Sequence, residues 1–374
     1  MRRNISSLLI VALLLAGTLM LSSCSDKSYY SSPVKEIDFV NKTDSILVGE
    51  KLNISVLAPR NIMVCDSLIL ILSSDPNGQL KVYSLSSMKQ IANLCSKGRA
   101  KNEFTQPMFV SNNYQIIDGD IHVQIYDNQN TFKDVNVSES IRKQSTIVTK
   151  AYECPYPLNS KMIFIDNQIN KRFVCFPAGQ SQSDGNITLP PRYTIEINGN
   201  ENNELKVFPR IRESVNPEDA TYGYFGALHK HPNKSIVVQT LESMDYLLFF
   251  DLDNNRNWAI HQIGSTSFDD VVQPTDFDAI EYTHFLGFAC TSDIIMTTYI
   301  AGDYSVNVSD YFSEARPQLF FFDWDGNYLG GVKLDQQTNR FSYDNLHKRI
   351  IGLDYANEVL YSYDISKILS SFSK

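Results

Sequence analysis

A short apolar hairpin unit recurs along this chain, and the repetition constrains the fold more than any single motif. Each unit is a run rich in Val, Ile, Tyr and Phe, followed by a polar turn and a second apolar run. The six units occupy residues 80–94, 122–137, 192–208, 246–263, 318–334 and 359–369. Further strand pairs precede them, as at 66–72 and 161–176. Paired hairpins repeated in this way predict four-stranded blades arranged around a centre, since radial repetition protects sheet edges.

Turn chemistry and aromatic content support the same β architecture. Asp325-Gly326 and Asn198-Gly199 are strong hairpin signals, because both central residues accept positive φ. The 20 tyrosines and 21 phenylalanines suit wide sheets. No long stretch holds a helical period, so the class is predicted to be all-β.

The chain ends are expected to meet in one blade. An open last blade would expose an unpaired strand edge, so a closed propeller needs a strand from the N-terminal part of the fold. Either 34–39 or 45–56 is expected to complete the blade that ends near Leu369. Residues 85–96 and 364–370 fit either a short helical turn or a strand leaving a tight turn. The sequence thus predicts a six-bladed β-propeller of four-stranded antiparallel blades.

The first two dozen residues predict export and lipid anchoring. Two arginines precede an apolar run over 8–21 that is short for a membrane span, and Leu21-Ser22-Ser23-Cys24 follows. This pattern is similar to bacterial lipoprotein signals, which implies a cleaved signal peptide over 1–23 and a lipidated Cys24. The alternatives are a chance cysteine after an ordinary signal, or an uncleaved N-terminal anchor.

A polar tether is predicted over residues 24–33, followed by the propeller over 34–374. Asp26 does not lie directly next to Cys24, and lipoprotein sorting rules then favour the outer membrane of a bacterial envelope. Whether the protein faces the periplasm or the outside stays open.

Charge and cysteine content exclude some classes of function. Removing residues 1–23 takes away Arg2 and Arg3, so the formal net charge moves from −9 to about −11. Such an acidic body is a poor binder of nucleic acid. Most of the cysteines after Cys24 are predicted to be buried thiols, with one disulfide involving Cys95 or Cys154 left open. The residues expected to be buried thiols in apolar strands are Cys65, Cys175 and Cys290.

The chain resembles the TolB-like six-bladed propeller lipoproteins over nearly all of its mature length. The resemblance is carried by the lipobox, by the hairpins FDWDGNYLG (322–330) and YDIS (363–366), and by the segment Gly98–Phe104. Family members show G-R-G-P-x-E-F at that segment. This chain has Ala100 and Lys101 where Gly and Pro are usual, so the geometry of the connection is expected to differ from that of the family. The resemblance implies the fold and no activity.

Two short motifs imitate metal sites. His229-Lys230-His231 has a spacing that places two imidazoles on one face of a strand, as zinc ligands need. Pro232-Asn233 follows, so a polar surface hairpin is the favoured interpretation. Residues 251–255 imitate the start of a calcium loop, but Arg256 and Gln262 stand where the turn Gly and the bidentate Glu belong. A blade hairpin is favoured there.

Long segments between strands hold the predicted partner site. The segment 268–281 is acidic and is expected either to be a solvated loop, to receive a basic partner, or to hold calcium. Its carboxylates are Asp269, Asp270, Asp276, Asp278 and Glu281. Three further long segments, 177–191, 209–222 and 301–317, are expected to share one propeller face with it. Their aromatic residues, together with the neighbouring Tyr224, are candidates to stack on a sugar or anchor a protein: Tyr222, Tyr224, Tyr304, Tyr311 and Phe312.

Two functions from different classes follow. The first is a non-catalytic binding module: a membrane-anchored envelope lipoprotein whose propeller face docks a protein or a glycan. The second is a metal-dependent propeller hydrolase or lyase, with a divalent cation near the central channel. The sequence contains no G-x-S-x-G, H-E-x-x-H, P-loop or Rossmann glycine motif, which favours the first. The remaining histidines are scattered and are expected to be structural: His122, His261, His284 and His347.

Overall fold

The structure is a computed structural model. It describes residues 34–43, 45–128, 131–153, 158–164, 172–177, 180–181, 187–188, 193–196, 202–204, 226–241, 245–264, 284–300, 316–338 and 340–372. Between residues 154 and 225 it describes the backbone of the strands alone.

The described residues form strands and two short helices. The strands in the first part of the chain are β1 (Lys35–Ile37), β2 (Ile46–Leu47), β3 (Glu50–Lys51), β4 (Pro59–Cys65), β5 (Leu68–Ser73), β6 (Leu80–Ser84), β7 (Gln90–Leu94), β8 (Pro107–Ile117), β9 (Asp120–Asp127), β10 (Thr131–Asn136), β11 (Val148–Glu153), β12 (Leu158–Phe164), β13 (Arg172–Pro177), β14 (Gln180–Ser181), β15 (Ile187–Thr188), β16 (Tyr193–Glu196) and β17 (Asn202–Glu204). The later strands are β18 (Gly226–Lys230), β19 (Ile236–Leu241), β20 (Tyr246–Asp251), β21 (Arg256–Gln262), β22 (His284–Cys290), β23 (Ile294–Ile300), β24 (Gln318–Asp323), β25 (Tyr328–Leu334), β26 (Arg340–Asp344), β27 (Arg349–Asp354) and β28 (Val359–Asp364). The helices are α1 (Val137–Lys143) and α2 (Ser366–Phe372).

Five sheets with described side chains form blades of a β-propeller. Blade A is β4–β7 and blade B is β8–β11; blade C is β18–β21 with β1, blade D is β22–β25 with β2, and blade E is β26–β28 with β3. A further sheet, in the order β12-β13-β16-β17, is described by its backbone, as is the small pair β14-β15. The predicted all-β propeller is therefore confirmed. Five blades, not the predicted six, are described with their side chains, so the number six stays a prediction.

The blades pack around a centre through their first strands. Strand β4 contacts β8 and β26, and β26 contacts β22. The buried apolar residues lie mainly between neighbouring blades: one cluster joins blades A and B, a second joins A and E, a third joins C and D, and a fourth joins D and E. Because blades A, D and E each bury both faces against neighbouring blades, their strands are apolar on both sides, as β5 of blade A shows with six consecutive buried residues.

The N-terminal part of the fold is a clasp that runs along three blades, and we define this clasp as residues 35–56. Strand β1 adds to β21 of blade C and β2 adds to β25 of blade D, both in parallel, whereas β3 pairs antiparallel with β28 and completes blade E. The prediction that 45–56 closes the last blade is confirmed. The alternative, 34–39, is wrong, because that segment supplies a fifth strand to a different blade.

Phe39 anchors the clasp between blades C and D. Its side chain is fully buried, and its ring centroid lies 5.1 Å from Phe320, 5.6 Å from Phe322 and 6.0 Å from Tyr299. The backbone amide of Phe39 donates to Oε1 of Gln262 over 2.9 Å. Several aromatic contacts and one buried hydrogen bond therefore hold the clasp in place.

The helices settle two local expectations. Residues 364–370 were expected to form either a helical turn or a strand, and α2 begins at Ser366, so the helical alternative is confirmed there. Residues 85–96 form a turn and β7 instead. Helix α1 is not predicted by the repeat pattern. It begins after Asn136, whose side chain accepts from the backbone amide of Glu139 over 2.7 Å, which is an N-cap bond.

The thiols with described side chains are not paired with each other. Cys65 and Cys95 are fully buried and Cys290 is partly buried, and all three are free cysteines. Burial raises the pKa of Cys290 to about 12 and raises that of Cys95 further, so both stay protonated. A disulfide through Cys95 is therefore wrong. Cys154 and the side chain of Cys175 lie outside the described residues.

Candidate functional site

The alternating direction of the strands gives the propeller two different faces. The turn from the first to the second strand of each described blade lies on one face, which we name the turn face. The connections from the second to the third strand, and from one blade to the next, lie on the opposite face, which we name the loop face. The long predicted segments follow β21 and β23, whose last residues are Gln262 and Ile300, so the chain leaves for them at the loop face.

None of the partner-site residues predicted from the sequence lies within the described residues. This holds for the lipidation site Cys24, for the acidic segment and for the aromatic candidates. The residues concerned are Asp269, Asp270, Asp276, Asp278, Glu281, Tyr222, Tyr224, Tyr304, Tyr311 and Phe312. Around the loop face the described surface carries exposed apolar side chains: Leu57 at 68%, Ile263 at 51% and Tyr355 at 40% exposure.

A central pocket opens on the turn face. Its volume is about 950 Å³, at the upper end of the range for ligand pockets. First strands of different blades and the turns that follow them line it, together with α2. The lining includes Tyr114 of β8, His229 of β18, Phe288 of β22 and Tyr343 of β26. No local sequence pattern marks this pocket, because residues far apart in the chain come together only when the blades close around the centre.

Aromatic rings form part of the pocket wall. His229 stacks on Phe288 with ring centroids 3.7 Å apart and an interplanar angle of 5°. Burial raises the pKa of Tyr343 to about 12 and also raises the pKa of Tyr114. Both phenols therefore stay neutral at physiological pH, and each presents a flat apolar ring with one hydroxyl.

The His229-Lys230-His231 motif is a structural turn and not a pair of metal ligands. Nδ1 of His231 accepts the backbone amides of Asn233 and Lys234 over 3.0 and 3.1 Å, and Nε2 lies 3.1 Å from the carbonyl oxygen of Ser292. Both ring nitrogens are thus used within the fold, and the imidazole is neutral with its proton on Nε2. The motif forms a hairpin turn as predicted, but its placement on the surface is wrong, because Lys230 and His231 are buried.

Burial, with a smaller contribution from the charge of Lys234, lowers the pKa of His231 below its ordinary value. The ring also lies 4.6 Å from that of Trp324, whose indole donates to the carbonyl of Thr291 over 3.0 Å. The motif therefore ties the turns of blades C and D together.

The calcium-like segment is a blade hairpin, as favoured from the sequence. Oδ1 of Asp251 accepts the backbone amide of Asn254 over 3.1 Å, and Oδ2 accepts its side-chain amide over 2.7 Å. Asp323 and Asp354 close other blade turns in the same way. In the part of the chain that the structure describes, no group of three or more His, Cys, Asp or Glu side chains is placed to hold a metal ion.

The degraded Gly98–Phe104 motif forms a closed connection between blades A and B. The amide of Gly98 donates to the carbonyl of Phe104 over 3.0 Å, and the amide of Ala100 donates to the Glu103 carboxylate over 2.9 Å. Below it, the ammonium of Lys133 lies 4.3 Å from the centre of the Phe104 ring. Ala100 and Lys101 are thus compatible with an ordered connection.

A buried ion pair supports that connection. Nζ of Lys133 lies 3.6 Å from Oδ2 of Asp127, and both side chains are almost fully buried. The other oxygen of Asp127 accepts the amides of Thr105 and Gln106, each over 2.9 Å. These contacts make the cluster a structural element rather than a reaction centre.

Two further observations bear on the predicted class. None of the described helices is long and apolar enough to cross a membrane.

The predicted structural role of His122 and His347 agrees with their contacts, because their Nδ1 atoms lie 3.1 Å from Asp134 and 2.7 Å from Asp344 respectively.

Comparison with known proteins bears on the fold. No protein-family model and no curated protein matches the chain. Among solved structures it is similar to a DUF4221 family member from Bacteroides vulgatus, at 9% identity and a TM-score of 0.52, over 89% of this chain and 96% of that one. A putative exported protein from Bacteroides fragilis is similar at 10% identity and a TM-score of 0.45, over 88% of this chain and 98% of that one.

The β-propeller domain of Cps50 (Swd1) from Myceliophteria thermophila is similar at 9% identity and a TM-score of 0.44, over 85% of this chain and all of that domain. At such identities the likeness to the DUF4221 member concerns the fold alone, and it agrees with the β-propeller formed by the blades. The TolB-like label is not confirmed by these similarities.

Proposed function

We propose that the protein is a membrane-anchored lipoprotein of the bacterial envelope that acts as a non-catalytic interaction module. A β-propeller suits protein interaction, because it presents loops from a rigid frame. The observation that carries the proposal is the difference in length between the connections on the two faces of the propeller. Short turns connect the strands on the turn face, whereas the chain leaves for the long segments 268–281 and 301–317 at the loop face.

The proposed docking surface is the loop face, and its occupant is a protein. The described part of this face carries exposed Leu57, Ile263 and Tyr355, and aliphatic side chains favour a protein partner over a glycan. In the proposal, the carboxylates of 268–281 meet basic groups of that partner, and the aromatic residues of 301–317 supply apolar anchors. The carboxylates are Asp269, Asp270, Asp276, Asp278 and Glu281, and the aromatic residues are Tyr304, Tyr311 and Phe312.

We also propose six blades, with the sheet β12-β13-β16-β17 as the sixth. Strand β12 lies beside β8 of blade B and beside β18 of blade C, which is the place that a missing blade takes in a closed ring. The sheet has four strands in antiparallel order, like its neighbours.

The proposed anchor is the lipid on Cys24, followed by the tether 24–33. The tether 24–33 has ten residues, so when it is fully extended it spans at most about 35 Å. A force on the tether would act first on the clasp, which resists it because its strands are hydrogen-bonded to three blades. In this proposal the propeller lies close to the membrane, and the sorting rules applied to Asp26 make this the outer membrane.

The test compares two variants with the native protein in intact cells. Cys24→Ala is expected to move the protein from the membrane fraction to the soluble fraction, and persistent membrane association would contradict the anchor. Replacing 268–281 by a Gly/Ser segment of equal length is expected to remove a reproducible cross-linked partner. Replacing Asn233 on the turn face by alanine is the matched control and leaves the partner in place.

A further inference from the structure

The pocket on the turn face has no role in the proposed docking on the loop face. It opens at the opposite end of the propeller axis and is lined by described residues of blades A to E and by α2. Its volume of about 950 Å³ is large enough for a ligand of several rings. The chemistry of its lining selects among classes of ligand.

Charge selects against a strongly charged ligand. Among the described lining residues, two carboxylates, Asp66 and Asp293, balance two ammonium groups, Lys230 and Lys348, in formal charge. The ammonium of Lys230 also donates to the carbonyl of His231 over 2.9 Å, and that of Lys348 donates to the side chain of Asn345 over 2.8 Å. An anion or a cation would therefore meet as many like charges as opposite ones among these residues.

The polar lining selects against a purely apolar ligand. The lining contains carboxamides and hydroxyls, among them Asn233, Asn345 and Ser366, as well as aromatic rings. An apolar ligand would displace water from these groups without replacing its hydrogen bonds, which costs free energy. A ligand with many hydroxyls satisfies both donors and acceptors of such a lining.

The rings supply the remaining element. Tyr114, Tyr343 and the stacked pair His229–Phe288 present flat apolar surfaces beside these polar groups. A sugar ring has the matching construction, since one face carries C–H groups and its edge carries hydroxyls. We propose that the pocket binds a neutral saccharide, with a sugar ring stacked on its tyrosines and the hydroxyls bonded to Asp66 and Asn345.

The test measures saccharide binding to the full mature chain carrying Cys24→Ala. This variant lacks the proposed lipid anchor and is therefore purified without detergent; if it stays in the membrane fraction, it is purified in detergent. The probes are galactose, mannose, N-acetylglucosamine and linear trisaccharides of each, with N-acetylneuraminic acid as the anionic probe. Titration calorimetry is expected to detect at least one neutral probe. Tyr343→Ala and the exposed Asn345→Ala should each weaken it about tenfold or more. Val48→Ala, at a position that is 73% exposed and outside the pocket lining, is the control and should leave saccharide binding unchanged.

Three results would overturn the proposal: no probe binds, only the anionic probe binds, or a neutral probe binds equally well to the Tyr343→Ala and Asn345→Ala variants. Circular dichroism of each variant separates loss of the site from loss of the fold. The loop-face partner is scored separately by cross-linking. If saccharide binding is absent while the partner is captured, the pocket proposal fails and the proposed function stands. If a saccharide binds while no partner is captured, the pocket proposal stands and the proposed docking on the loop face fails.

Discussion

The clasp should contribute much of the stability of the propeller through one side chain, Phe39. Phe39→Ala removes a fully buried ring that contacts Phe285, Tyr299, Phe320 and Phe322 at centroid distances of 5.1 to 6.4 Å. Truncation of a buried phenylalanine costs about 3–5 kcal/mol, and each aromatic pair adds roughly 0.5–1.5 kcal/mol to simple burial. We expect the upper half of the first range, about 4–5 kcal/mol.

The measurement is equilibrium unfolding in urea, followed by tryptophan fluorescence, because Trp258 and Trp324 lie in or beside the cluster that Phe39 joins. Val48→Ala is the matched control within the same clasp. Val48 is 73% exposed, so its truncation should change the free energy of unfolding by no more than about 0.5 kcal/mol. A loss below about 1 kcal/mol for Phe39→Ala would refute the view that this ring anchors the clasp.

Three further predictions concern buried polar groups. Lys133→Ala leaves Asp127 buried without its ion-pair partner and should lower the free energy of unfolding in urea by about 3–5 kcal/mol. The control is Lys143→Ala, which removes a Lys143–Glu139 pair whose lysine is 58% exposed and should cost less than about 0.5 kcal/mol. Equal losses would contradict the view that the buried pair is the stabilising one. The lowered pKa of His231 means that the unfolded chain takes up this proton first, so the free energy of unfolding should fall as the pH drops below about 6.5, and His231→Gln should remove that part of the slope. Burial alone would raise the pKa of Asp344, but hydrogen bonds from Arg349 and His347 outweigh burial and lower this pKa. The ionised carboxylate therefore stabilises the fold above about pH 4, and this stabilisation is lost as the pH falls through the lowered pKa. If the free energy of unfolding of Asp344→Asn fell with acid in the same way as that of the native protein, the result would contradict this prediction.

The architecture was predictable because each blade repeats the same local chemistry. Apolar runs separated by turns at a regular spacing specify antiparallel hairpins, and the aspartate at the end of a strand recurs because its carboxylate caps the following turn, as Asp251 and Asp323 show. The strand that completes the last blade could be predicted to lie in one of two N-terminal segments, because a closed ring needs such a strand. The sequence did not distinguish them, because both are short and β-rich, and the choice depends on Phe39 fitting between blades C and D, whose strands are distant from it in the sequence.

The pocket and the buried polar contacts were not predictable. Tyr114 and Tyr343 are 229 positions apart in the sequence and meet only through ring closure, so no local pattern marks them. The H-x-H motif shows the opposite case. Its spacing suggested ligands or a surface turn, whereas the structure uses His231 as a buried acceptor of two backbone amides, a role that spacing does not reveal.

The most direct test of the proposed docking is site-specific photo-cross-linking on the two faces in intact cells. A photoreactive residue replaces Tyr355 on the loop face, Asn345 at the pocket on the turn face, or Ser86 in the turn between β6 and β7, all of which are exposed. Docking on the loop face predicts a protein adduct from position 355 and none from positions 345 and 86. An adduct from position 345 with none from position 355 would contradict docking of a protein on the loop face.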